Sequence, residues 1–145
     1  MQVNNGLEIY RALCALARRY QFRNRDEVCC YGLTVSQCYA LQLLNQGAVP
    51  STKLSTMLSL DISSVTRLVD QLLKKKLVVR ELSPEDGRVR LIQITDAGSK
   101  LVRRIEEDFG QIVSQALSDL SPEVLKALPL ALVQLASALE TCEVS

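Results

Sequence analysis

Two groups of side chains in this sequence have the types and spacing to do chemistry. The first is Ser63, Ser64, Thr66, Arg67, Gln71 and Lys74. Small hydroxyl residues let a helix approach a DNA major groove closely, and an arginine one turn on can fork onto a guanine edge. The second group is Cys29, Cys30 and Cys38, three thiols within ten residues. Thiolates hold soft metal ions and thiophilic centres such as arsenite. Nearby Arg23 and Arg25, or a helix N-terminus, lower a thiol pKa and favour oxidation to a disulfide or a sulfenic acid. Adjacent cysteines are awkward partners, so Cys29 or Cys30 with Cys38 is the better pairing. The competing reading makes Cys38 a core residue and Cys29 and Cys30 incidental. Cys142, near the C-terminus, is a weaker thiol candidate.

The elements that must position the first group can be read locally. Asp61 to Lys76 is expected to be a helix, with Asp61 as its N-cap. Ile62, Val65, Leu68, Val69, Leu72 and Leu73 recur at helical spacing and should face a core. A shorter helix, Thr52 to Leu58, precedes it. Lys53 near its start is a phosphate contact or a solvated lysine. Leu77 to Leu82 and Val89 to Ile94 read as two strands around the turn formers Ser83-Pro84-Glu85-Asp86-Gly87. Arg88 and Arg90, two apart, should project from one strand face. Arg88 should enter the minor groove or hold phosphate, with Asp86 orienting it through a charge-assisted hydrogen bond. Arg90 and Lys74 should meet the phosphate backbone. A helix-turn-helix followed by a basic hairpin is a winged helix, so the fold class is mainly α (α+β).

Specific words in the sequence carry a family resemblance. Val65-Thr66-Arg67-Leu68-Val69-Asp70-Gln71-Leu72, Leu77-Val78-Val79-Arg80, Pro84-Glu85-Asp86-Gly87-Arg88-Val89-Arg90-Leu91 and Ile94-Thr95-Asp96-Ala97-Gly98 resemble the MarR family (multiple antibiotic resistance regulators). The resemblance covers nearly the whole chain and is most specific between Leu58 and Leu101. Asp86 and Arg88 match the family's Asp-x-Arg. The position between them is often basic in the family and is Gly87 here, so one phosphate contact is missing and the tip is freer.

Composition bounds the rest. A chain of 145 residues buries about two-thirds of its unfolded surface as one domain. The net charge of +1 does not announce nucleic acid; the local basic clusters matter more. There is no histidine, which removes most hydrolytic constellations and the commonest zinc ligand. No phosphate loop or serine elbow is present, and an enzyme is not expected. No stretch of about 18 apolar residues is read, so no membrane span is expected. No secretion signal is read, which points to a cytoplasmic chain with mostly reduced cysteines.

Flanking helices complete the reading. Leu7 to about Arg23 forms the first, with Tyr10, Leu13, Cys14, Ala17 and Tyr20 on one face, and Arg23 to Leu33 is a polar connection. Thr34-Val35-Ser36-Gln37 is a capping box that opens a helix through Leu44. Thr95 caps a helix from Asp96 to about Leu117. Ser121-Pro122-Glu123 starts the last helix, which Pro129 should kink or break. Its stripe of Leu125, Leu128, Leu132, Leu135 and Leu139 suits a dimer seam, although an intrachain core would also cover it. The resemblance implies a winged-helix lobe over about 34–95 and dimerisation helices over about 6–23 and 96–140. It further implies an effector crevice bordered by the Cys29–Leu33 connection. The expected function is a homodimeric regulator, a repressor released from a palindromic operator by a thiophile or oxidant acting on Cys29, Cys30 and Cys38. Two alternatives stand: an aromatic or drug-like effector with no thiol role, and a winged-helix module that binds protein.

Overall fold

The computed structural model of the chain describes residues 3–28 and 31–142, with side chains for 5–20 and 31–142. Its elements are α1 (Val3–Val28), α2 (Val35–Leu44), α3 (Ser51–Leu58), α4 (Ile62–Lys74), β1 (Val78–Leu82), β2 (Arg90–Ile94), α5 (Asp96–Ala116) and α6 (Pro122–Thr141). Two compact units result, Met1–Arg103 and Arg104–Ser145.

In the first unit α1 extends well past the expected end at Arg23 and runs to Val28. The polar connection is therefore shorter than its composition implied. Arg23-Asn24-Arg25-Asp26-Glu27 contains neither glycine nor proline, and charged residues continue a helix readily. Thr34 then opens α2 with a reciprocal capping box. Its hydroxyl accepts from Gln37 N at 3.2 Å, and Gln37 Oε1 accepts from Thr34 N at 3.1 Å.

The core forms where α2, α3, α4 and the hairpin meet. Leu41, Leu44, Leu54, Val65, Val69, Leu72, Val78 and Ile92 are fully buried there. Each such leucine or isoleucine stabilises the fold by about 1.5–3 kcal/mol. The stripe on α4 is Val65, Leu68, Val69 and Leu72. Ile62 departs from the expectation: it is 50% exposed. It continues the stripe but stands at the first helical position, a turn ahead of where the core begins.

The strands pair antiparallel with Val78 opposite Ile94, Arg80 opposite Ile92 and Leu82 opposite Arg90. A further bridge was not anticipated. Val49 N donates to Ile92 O at 3.2 Å and Ile92 N to Val49 O at 2.8 Å, so the segment before α3 adds a short third edge.

Helix α4 ends in a left-handed residue, Lys76, at φ 60°. Leu77 N reaches back to Leu72 O and Lys76 N to Leu73 O, which satisfies the last carbonyls. Thr95 gathers the next connection. Its hydroxyl donates to Lys76 O at 2.8 Å and accepts from Gly98 N at 3.1 Å, while Thr95 N donates to Leu77 O at 3.0 Å. A side chain at Gly98 would collide here, because a Cβ would lie 2.3 Å from Leu77 O.

In the second unit, Ser121 caps α6 by accepting from Val124 N at 3.4 Å, with Pro122 at the first helical position. Of the kink or break expected at Pro129, the break does not occur: the helix runs on past it to Thr141. None of its residues is buried. By length and composition α6 is long and apolar enough to cross a membrane, which corrects the expectation that no such stretch exists. Its charges, Glu123, Lys126 and Glu140, are few and widely spaced among leucine, alanine and valine.

Candidate nucleic-acid interface

The polar side of α4 begins with a clamp. Asp61 Oδ2 accepts from Ser64 N at 3.0 Å, and Asp61 Oδ1 accepts from the Ser64 hydroxyl at 2.6 Å. The Ser63 hydroxyl also donates to Asp61. These hydroxyls, Ser63 first and then Ser64 with its backbone N–H, hold the Asp61 carboxyl well below the usual carboxylate range. The positive end of the helix dipole favours the same charge. Both serine hydroxyl protons are thus committed to Asp61, which leaves Ser63 and Ser64 with oxygen lone pairs that can accept. Thr66 is committed likewise: its hydroxyl donates to Ile62 O at 2.8 Å.

Arg67 is different. It is exposed and makes no hydrogen bond or ion pair with another described residue. Arg67 lines an open cavity of about 320 Å³ between the start of α2 and α4, together with Thr34, Ser64 and Leu68. Five donors in a planar fork are therefore available at the middle of the helix. Gln71, a turn further on, is engaged. Its Oε1 accepts from Gln37 Nε2 at 2.6 Å. Lys74 in the last turn and Lys53 in the first turn of α3 are exposed. Next to Lys74, Lys75 Nζ donates to Gly32 O and ties the end of α4 to the connection before α2.

The hairpin tip is built on Ser83 and Asp86. The Ser83 hydroxyl accepts from Glu85 N at 3.3 Å and from Asp86 N at 3.4 Å. Ser83 N donates to Val89 O at 2.8 Å and Val89 N to Asp86 O at 3.0 Å. Asp86 does orient position 88, but not as expected. Its carboxylate accepts from the Arg88 backbone N–H at 3.0 Å, and no bond to the guanidinium is formed. The aspartate shapes the turn and leaves the arginine fork unengaged by other described residues. Arg88 itself lies in the turn rather than on β2, so strand alternation does not align it with Arg90. Arg90 is the first residue of β2 and is exposed, opposite Leu82.

Two side chains that sequence reading passed over hold the hairpin to the helix. Arg80 Nη2 on β1 donates to Asp70 Oδ1 on α4 at 2.9 Å. They are ten residues apart, and no local pattern announces such a pair.

The cysteines divide. Cys38 lies in α2, 5% exposed. Cys29 and Cys30 lie outside the described residues. Cys14 on α1 is half-buried, and its hydrogen bond with Tyr10 raises the Tyr10 pKa. Cys142 is exposed at the end of α6, and none of the three described thiols is in a disulfide. Among the described residues no three cysteine or carboxylate groups gather into a metal site.

Comparison with known proteins gives a consistent picture. The MarR family model matches residues 33–89. The chain is 30% identical over 112 residues to the HTH-type transcriptional regulator YfiV of Bacillus subtilis, covering 77% of this chain and 70% of that one. It spans 54% to 65% of the length of three other curated Bacillus subtilis regulators it matches. A MarR family protein from Bacillus stearothermophilus superimposes with a TM-score of 0.83 at 25% identity, covering 97% of this chain and 99% of that one. A single-substitution mutant of Staphylococcus aureus MepR, solved bound to an oligodeoxyribonucleotide, shares the fold with a TM-score of 0.62 at 22% identity, covering 90% of this chain and 97% of that one.

Proposed function

The chain belongs to the MarR family of transcriptional regulators, and from that premise we propose that it is a homodimeric, cytoplasmic DNA-binding repressor that leaves a palindromic operator when an effector acts. The observation that carries the reading is Arg67, exposed at mid-helix on α4 with its fork unengaged by other described residues. Ser63, Ser64, Thr66 and Gln71 accompany it at base edges, and Lys74, Lys53, Arg88 and Arg90 take phosphates. Self-association is supported by exposed apolar side chains on α1, such as Leu7 and Tyr10, and on α6, such as Leu130 and Val133. Two α4 helices about 34–36 Å apart would read the two halves of a palindrome.

The experiment is a titration of the chain on its own upstream DNA. Arg67→Ala should weaken operator binding by about 1–3 kcal/mol and relax base preference. Equal affinity for parent and variant would sink the reading. Binding that is absent, or indifferent to salt, would favour a protein-binding module instead.

The proposed trigger is thiol chemistry at Cys29, Cys30 and Cys38, through a bound soft metal or metalloid or through oxidation. The burial of Cys38 favours a second reading, an aromatic or drug-like effector that leaves sulfur untouched. Changing all three cysteines to serine separates them. Release from DNA by arsenite, soft metals and peroxide should be lost in the variant, with intact mass reporting modified sulfur in the parent. Release by aromatic acids that survives the change supports the second reading.

A further inference from the structure

The hairpin turns one face toward α4. Directly opposite residues of an antiparallel pair share a face, as do alternate residues along a strand. Val78, Arg80 and Leu82 on β1 therefore share a face with Ile94, Ile92 and Arg90 on β2. Val78 and Ile92 are buried, and Arg80 Nη2 donates to Asp70 Oδ1 at 2.9 Å, so this face lies against the core and α4. Toward the tip it runs out past the core, where Leu82 and Arg90 are exposed. Arg80 and Arg90 are diagonal neighbours in the register, about 7–8 Å apart at the backbone. Both line an open cavity of about 250 Å³. Asp70 engages one of the five N–H donors of Arg80, and the guanidinium bonds to no other described residue.

We infer that Arg80 is a phosphate contact, with Asp70 as the residue that positions it, in the groove between α4 and the hairpin. The inference rests on the DNA-binding reading of α4. With α4 in a major groove and the hairpin tip at the adjoining minor groove, one sugar-phosphate strand divides the two grooves. That strand passes between helix and hairpin, along the hairpin face that carries Arg80 and Arg90. Asp70 would by itself repel that strand. Bonded to Arg80, its charge is offset, and the bond holds a long side chain in place before phosphate arrives. The guanidinium keeps donors for a phosphate oxygen, because one bond to a carboxylate leaves the rest of the fork unused.

The test is a titration of the full chain on its upstream DNA over a range of salt concentrations. Both side chains are partly exposed, at 36% and 51%, so the substitutions leave the core intact. Arg80→Ala should weaken binding roughly fivefold or more and flatten the salt slope by about one unit. Asp70→Ala gives a sign test. It removes a negative charge, so charge alone would tighten binding to a polyanion. Positioning predicts the reverse, a loss of roughly two- to fivefold in the parent that turns into no change or a gain in the Arg80→Ala background. Tightening by Asp70→Ala in both backgrounds would overturn the positioning role. Arg88→Ala separates contact from mere placement of the hairpin tip. In that background Arg80→Ala should flatten the slope by a further unit, and no further flattening would overturn the phosphate contact. Arg67→Ala should still weaken binding in either case, so the DNA-binding reading would outlast both failures. If the unaltered chain binds no upstream DNA, that reading and this inference fall together.

Discussion

Arg80 Nη2 lies 2.9 Å from Asp70 Oδ1, and this pair joins the first strand of the hairpin to the solvent side of α4. The two side chains are 36% and 51% exposed, so water and salt screen the attraction. The pair should contribute less to stability than to the placement of the hairpin. A double-mutant cycle with Arg80→Ala and Asp70→Ala, read by urea unfolding, should give a coupling of about 0–1 kcal/mol that shrinks at high salt. A coupling of several kcal/mol, independent of salt, would contradict this.

Gly98 meets the end of α4 with no room to spare. A Cβ there would lie 2.3 Å from Leu77 O and 2.7 Å from Ile94 Cγ1. The first obstacle is backbone and cannot swing aside. Gly98→Ala should therefore destabilise the chain by about 1–3 kcal/mol despite its better helix propensity. A variant as stable as the parent in denaturant unfolding would show that the junction can open.

Asp61 links stability to pH. Its pKa in the fold lies below the ordinary 3.8, because Ser63 and Ser64 donate to the ionised form. A depressed pKa stabilises the fold fully above the unfolded value, and the gain fades as pH falls through the folded one. Asp61→Ala should lower the melting temperature at pH 7. The gap between parent and variant should narrow as pH drops below about 4. A gap that stays constant down to strongly acid pH would assign the effect to something other than the carboxylate.

Arg88 should act through charge. Its backbone N–H is engaged by Asp86, but its guanidinium is not. Arg88→Ala should weaken operator binding and flatten the plot of log affinity against log salt by about one unit for each phosphate the arginine neutralises. The slope measured over a range of salt concentrations decides it; an unaltered slope would remove Arg88 from the interface.

Much of the lobe was legible because its signals are local. Thr34-x-x-Gln37, Asp61 ahead of the α4 stripe, Thr95 before Asp96 and Ser121-Pro122 each announce a helix start within four residues, and all four cap as read. What was missed depends on partners distant in sequence. The bond from Gln37 to Gln71 spans 34 residues and the bridge from Val49 to Ile92 joins segments with no shared pattern. Gln37 was visible as a capping residue, but its second role needed α4 beside it. The Asp86–Arg88 error has a different origin. Opposite charges two apart suggested a side-chain pair, yet a short carboxylate in a turn finds the nearer backbone N–H first. Helix α1 outran its expected end because no breaker stands between Arg23 and Val28.

The knot at Thr95 has a mechanical meaning. With its hydroxyl on Lys76 O, its N–H on Leu77 O and Gly98 pressed against the same carbonyl, the first turn of α5 has no swivel where it leaves the hairpin. Any displacement of residues 95–98 would have to break, or carry with it, the bonds to Lys76 O and Leu77 O just past the end of α4.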